Sequence, residues 1–191
     1  MSEPNVVKLP PSNKVFLQAV FGEHWASAYI VSFPEDPNTP GASKWIARRW
    51  TELRPAQLEA VQSGAWNNYF CISRFGDRGR KSSGAPGNFI ACHCVVLDDV
   101  GVKVQAHEAI ERFGHPTWRI ETSRGNEQWG YRLATPETDE RRADRLLKKL
   151  VQLGLTDPSC GDVSRLVRLP VGTNTKEAAG RWRSVLRAWE G

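Results

Sequence analysis

Short apolar runs alternate along the chain with polar stretches rich in glycine and proline, at the spacing of a mixed α and β domain. Residues 1–14 are polar and hold the adjacent Pro10 and Pro11, which predicts a flexible arm with the folded part beginning near Val15. The apolar run at 28–33 predicts a strand, and the turn formers at 35–42 predict a loop. Arg54 and Pro55 open a helix to about residue 62, and 68–73 reads as a second short strand. Residues 76–87 are glycine-rich, polar and basic, as in a surface loop.

From residue 88 the pattern sharpens. Residues 89–97 are apolar, of strand length and rich in β-branched side chains, which predicts a buried central strand ending at Asp98 and Asp99. A helix over 106–113 is stopped by Gly114 with Pro116 beyond. Strands at 117–122 and 128–133 flank a hairpin turn that holds Gly125. Thr138 or Asp139 caps a helix to Leu153, closed by Gly154, and 181–189 alternates like a last strand after the loop 171–176. Strand, helix, two strands, helix, strand is the order of an RRM-like split βαβ unit. The expected fold class is therefore α+β: an RRM-like sheet over 88–191 with an N-terminal α/β extension over 15–87, together one domain over 15–191.

Composition narrows the class. With 40% hydrophobic and 25% charged residues this is ordinary globular protein. No run approaches the ~20 apolar residues that cross a bilayer, and the first residues lack the apolar centre of a signal peptide, so the expectation is a cytoplasmic protein without a membrane partner. Cys71, Cys92, Cys94 and Cys160 show no CxxC spacing and read as free thiols, with no zinc expected. The net charge of +5 and the basic groups, among them Arg78, Arg80 and Lys81 in the glycine-rich loop, suit a polyanionic partner.

Three stretches carry candidate chemistry. Asp98 and Asp99 lie at a strand end, where open sheets present ligand sites, and paired carboxylates are what Mg²⁺ or Mn²⁺ require. Neighbours on a regular strand face opposite ways, so both reach one ion only if the strand breaks at Asp98; a plain turn reads equally well. Ser123, Asn126 and Gln128 surround Gly125 as a group suited to phosphate or sugar, and an ordinary hairpin turn explains Gly125 and Asn126 too. Asp162, Arg165 and Arg168 place an acid and two forked cations at three-residue spacing, as a triphosphate site or as a surface salt-bridge set.

Taken together and in this order, residues 96–101, 120–131 and the pattern Asp162-x-x-Arg165-x-x-Arg168-Leu169-Pro170-x-Gly172 resemble the archaeo-eukaryotic primase superfamily, closest to the primase domains of plasmids and phages. The resemblance implies a primase-polymerase fold and primer synthesis from nucleoside triphosphates on single-stranded DNA. It implies Asp98, Asp99 and Asp162 as ligands of two Mg²⁺ or Mn²⁺ ions, and Ser123, Asn126, Gln128, Arg165 and Arg168 as nucleotide contacts, with Asn174 and Lys176 added. Arg78, Arg80, Lys81 and Tyr131 are its candidates for template contact, and a helicase, fused or separate, is an implied partner. Two features depart from many members: the first acids are adjacent rather than spaced by one, and no histidine stands in the second block. The competing reading is a non-catalytic RRM-like nucleic-acid-binding module of a replication initiator. A nicking initiator needs a paired-histidine metal motif, which His24, His93, His107 and His115 do not form.

Overall fold

The computed structural model describes residues 12–41, 45–79, 88–158 and 161–189. The chain opens with α1 (Asn13–Phe21), whose N-terminus is capped by Ser12, the hydroxyl accepting from the Val15 amide at 3.3 Å. Phe16, Leu17, Val20 and Phe21 recur at helical spacing on its buried face. The helix thus starts two residues before Val15, and Asn13 is itself buried. Its amide donates to the Val61 and Val171 carbonyls, both at 2.7 Å, tying the first turn to a segment 158 residues on.

Next come β1 (Tyr29–Phe33), β2 (Arg48–Arg49), α2 (Pro55–Ser63), β3 (Asn67–Cys71) and β4 (Ser73–Phe75). The second half holds β5 (Phe89–Val100), α3 (Ala106–Phe113), β6 (Trp118–Ser123), β7 (Asn126–Glu137) and α4 (Glu140–Gln152). It ends with β8 (Leu166–Arg168), β9 (Thr173–Asn174), β10 (Trp182–Arg183) and β11 (Val185–Trp189). These strands form a four-stranded sheet in the order β2-β1-β3-β8, a five-stranded sheet in the order β11-β6-β7-β5-β4, and a β9–β10 ribbon, paired antiparallel throughout.

Ile72 joins the two sheets. It lies between β3 and β4, its amide donating to Arg165 O, just before β8 of the first sheet, and its carbonyl accepting from His93 N of the second, at 3.2 and 3.0 Å. One extended ribbon therefore changes sheets without a loop.

The split βαβ order is present in β5, α3, β6, β7 and α4, with β6-β7-β5 adjacent as that topology requires. The strands after α4 depart from it. β8 leaves to pair with β3, β4 takes the place beside β5, and the terminal β11 pairs with β6. The core runs through both sheets, and its centre is aromatic: Phe16 lies edge-on to Phe70, Trp118 and Trp189 at 5.5, 5.2 and 5.3 Å between ring centres. Rings so placed contribute about 1 kcal/mol per pair beyond area burial. Gly130 admits Trp118, since a Cβ there would lie 1.9 Å from the indole. Among the described residues no helix is long and apolar enough to cross a membrane.

Candidate active site

Between Leu97 and Val100, β5 carries one residue too many. Leu97 pairs with Trp129 and Val100 with Glu127, so Asp98 and Asp99 together oppose the single residue Gln128. This bulge resolves the alternation that would send neighbouring side chains to opposite faces. Asp99 takes up the irregularity with a φ of 56°, a left-handed conformation that aspartate tolerates at a cost of roughly 1 kcal/mol. Its amide donates to Asp98 Oδ1 at 2.9 Å, and its carbonyl accepts the amides of Val102, Lys103 and Val104, closing a tight turn. Gly101 follows with a φ of 93°, and a Cβ there would lie 2.6 Å from the Gly125 carbonyl. Only glycine lets the end of β5 press this closely on the β6–β7 turn.

That contact brings the second block to the first. Asn126 donates from Nδ2 to Asp99 Oδ1 at 2.8 Å, and Gln128 donates from Nε2 to Asp98 Oδ2 at 3.1 Å. Gln128 Oε1 accepts the Arg168 amide at 3.0 Å, so one side chain links the first carboxylate to the third block. The hairpin itself is held by Glu121, which accepts from Gly125 N at 2.9 Å and from Arg187 Nε at 2.7 Å. Burial pushes the Asp99 carboxyl up, but hydrogen bonds from Lys103 and Asn126 outweigh it and hold the group below the usual carboxylate range. Lys103 Nζ stands 2.5 Å from Asp99 Oδ2.

A cleft of about 580 Å³ lies over these groups, between the two sheets. Asp98, Asp99, Ser123, Asn126, Gln128, Arg168, Asn174 and Lys176 all line it, so the fold gathers eight of the anticipated site residues from three distant stretches. Arg168 is buried to 5% exposure, yet it reaches the cleft, with Nη1 on Asn67 Oδ1 at 3.2 Å and Nη2 on Asn174 Oδ1 at 2.7 Å. Its guanidinium lies over the Tyr69 ring at 4.7 Å, and burial pulls its pKa below the ordinary arginine value. Asn174 is anchored in turn by donating to Thr122 O at 2.9 Å.

Other anticipated residues lie elsewhere. The Arg165 side chain is 1% exposed and does not line the cleft. It sits behind Asp98, with Nη1 donating to the Val96 carbonyl and Nη2 3.5 Å from Asp98 Oδ2, too poorly aligned for a hydrogen bond. Its place is support for the first carboxylate rather than contact with a ligand. Asp162 is not brought to the aspartate pair: its carboxylate is exposed and accepts the Ser164 amide and hydroxyl at 2.6 and 2.5 Å. Tyr131 does not line the cleft. Its hydroxyl donates to Gly114 O at 3.3 Å, its ring packs on Phe113, and burial pushes its pKa up to about 12. Arg78 is exposed in the turn after β4, whereas Arg80 and Lys81 lie outside the described residues.

The cleft also holds residues that local sequence did not single out: Lys103, Asp157, Trp45 and Tyr69. Lys103 had a signal in its spacing of four from Asp99. The other three reach the cleft through strand pairing and loop closure, for which no short-range pattern speaks.

The donor set suits a hard divalent cation. Asp98 and Asp99 offer carboxylate oxygens on one side of the bulge, and Asp157 lines the same cleft. Asn126 Oδ1 is buried beside Asp99 and accepts no hydrogen bond. Among the described residues no three carboxylate, histidine or cysteine groups converge closely enough to complete an ion's shell by themselves.

No protein-family model and no curated protein matches the chain. Solved structures do. The primase-polymerase (AEP) domain of cyanophage S-2L superposes with a TM-score of 0.64 at 15% identity, over 94% of this chain and 90% of that one. The catalytic domain of primase RepB' in complex with initiator DNA gives a TM-score of 0.59 at 20% identity, over 92% and 85%. A further RepB' primase structure gives 0.58 at 19% identity, over 92% of this chain and 57% of that one. At these identities the likeness is one of fold, and this chain has the primase-polymerase fold.

Proposed function

We propose that this chain is a primase-polymerase catalytic domain that joins nucleoside triphosphates into a primer on single-stranded DNA, in the replication of a plasmid, phage or other mobile element. The supporting observation is the bulge that turns Asp98 and Asp99 into one cleft and fastens them there with Gln128 and Asn126. The neighbour solved with initiator DNA supports a DNA partner.

Charge explains why such a cleft needs cations. Its acids, Asp98, Asp99 and Asp157, are matched in number by Lys103, Arg168 and Lys176, so a triphosphate entering would add uncompensated negative charge. Asp98 and Asp99, with Asp157 nearby, would hold Mg²⁺ or Mn²⁺, which when bound lowers the pKa of the attacking 3′-hydroxyl and offsets charge at the α-phosphorus. The protein's own contribution is positioning. Gln128 and Arg165 fix the Asp98 carboxylate from two sides, and Asn126 and Lys103 hold Asp99 ionised. Arg168, pinned by Asn67 and Asn174, presents a cation that cannot swing away, which suits recognition of phosphate oxygens. Lys103, two-thirds exposed, would be able to turn from Asp99 toward a phosphate if Asp99 held a metal ion.

The test is template-dependent incorporation of labelled nucleotides on single-stranded DNA with Mg²⁺ and with Mn²⁺. Extension that depends on the metal is the expected result. Tight DNA binding with no incorporation under either metal would instead establish the non-catalytic binding module.

A further inference from the structure

The cleft is divided chemically in the same sense as a nucleotide. Five of its polar groups, the carboxylates of Asp98 and Asp99, the Ser123 hydroxyl and the amides of Asn126 and Gln128, come from the five-stranded sheet. Its large apolar side chains come from the other side, with Tyr69 on β3, Leu166 on β8 and Trp45 just before β2. Arg168 stands on the seam, on a strand of the four-stranded sheet but bonded through its amide to Gln128 of the other.

The apolar side has its own architecture. Phe33, Trp45 and Tyr69 belong to a small hydrophobic cluster apart from the main core. Trp45 lies edge-on to Phe33 at 4.8 Å and tilted against Tyr69 at 5.3 Å, while Phe33 and Tyr69 stack at 6.0 Å. Of the three rings, Phe33 does not line the cleft, and Tyr69 is buried to 8% exposure with the Arg168 guanidinium over it. Trp45 is half-buried and borders the cleft, so its indole is the ring with area left to offer a ligand. Its two aromatic neighbours hold it in place, which spares a bound base the cost of ordering it.

We propose that Trp45 is the nucleobase platform of this cleft: the base of the incoming nucleoside triphosphate stacks on its indole while the phosphates lie toward Arg168, Lys176 and the aspartate pair. The assignment rests on the functional reading above, which supplies the polyanionic end of the ligand. Stacking on an aromatic face takes any of the four bases, as copying an arbitrary template demands, and a cleft of about 580 Å³ lies in the range that holds ligands of nucleotide size.

The experiment compares two ligands on the intact chain by calorimetry in Mn²⁺: deoxyadenosine triphosphate, which has a base, and inorganic tripolyphosphate, which has none. In Trp45→Ala the nucleotide should bind about tenfold more weakly, within the span expected for one stacked base, while tripolyphosphate changes less than about twofold. Trp45→Phe should recover most of the loss. Trp45→Leu, which keeps apolar bulk but not the aromatic face, should behave as the alanine variant and answers the question if alanine unfolds the cluster. Equal weakening of both ligands, or no weakening of either, overturns the assignment, as does a loss confined to single-stranded DNA. Failure of the wild-type chain to bind either ligand would instead remove the nucleotide reading itself.

Discussion

Within β5 two lengths of the same strand are built to different ends. Residues 94–97 pair one for one with residues 129–132 of β7 and are buried, their side chains apolar. The next three residues carry an extra position, a positive φ at Asp99 and two partly exposed carboxylates tied down by side chains from β7. Regular pairing maximises buried apolar area and leaves nothing for a ligand. The bulge gives up ladder bonds and adopts a costly backbone, and only the rigid half behind it makes that distortion tolerable. Folding energy and chemistry are therefore separated along one strand, and Arg165 spans the boundary, touching Val96 O on one side and Asp98 on the other.

The largest effect should come from the bulge itself. Asp98→Asn or Asp99→Asn is expected to lower primer extension by about a thousandfold or more, with a melting temperature close to that of the wild type. Asp157→Asn should be clearly impaired and Asp162→Asn within about threefold of normal, because the Asp162 carboxylate faces solvent against Ser164. A loss at Asp162 equal to that at Asp98 would mean that the acidic site is assembled differently.

Arg165→Met tests the boundary. Removing a cation with 1% exposed side chain from behind Asp98 should cost about 3 kcal/mol in denaturant unfolding, and a loss below about 1 kcal/mol would show that the two halves of β5 do not need it. Gly101→Ala probes the bulge from its far side. The methyl group would meet the Gly125 carbonyl and the backbone would be held at an unfavourable φ, for an expected loss of about 2 kcal/mol together with weaker Mn²⁺ binding, read by paramagnetic relaxation. Unchanged Mn²⁺ affinity would separate the bulge from the metal site.

The smallest effect concerns the buried length of β5 before the bulge, where His93 packs on Phe21 at 4.7 Å. Burial pulls its pKa down from 6.5 to about 4, helped by the nearby Arg74 and His24 and opposed by the Val20 backbone. The folded chain thus refuses a proton that the unfolded chain accepts, so this contribution is full above pH 6.5 and declines as the pH falls toward 4. Unfolding free energies at pH 7 and pH 5 should differ by about 2 kcal/mol from this group, and His93→Leu should flatten the slope. An unchanged slope would assign acid sensitivity to other groups.

Much of this molecule is legible along the chain. The helix read over 106–113 is α3, and the cap at Asp139 and the stop near Gly154 bracket α4, because caps, glycine stops and apolar spacing act within a few residues. The helix α1 was equally local, with Ser12 as cap and Phe16, Leu17, Val20 and Phe21 on one face, but a polar start with two prolines masked it. Short strands such as β4, β9 and β10 carry too few residues for a period to register, and their identity is a matter of what they pair with.

The same division governs the site. Sequence alone set out which residue types were on hand: paired acids at a strand end, a polar hairpin around Gly125, and two arginines three apart. It also carried, in the aspartate's tolerance of a left-handed backbone and in Gly101, the means for β5 to bulge. Tertiary structure alone decided which of them meet. Arg165 and Arg168 are alike in type and burial, yet one is closed in behind Asp98 and the other opens on the cleft, because Arg165 precedes β8 and reaches Val96 O of the other sheet, whereas Arg168 ends β8 and is held by Asn67 and Asn174. Asp157 and Trp45 enter and Asp162 stays outside for a related reason. Where a loop residue points is fixed by the elements that close around it, and those lie tens of residues away along the chain.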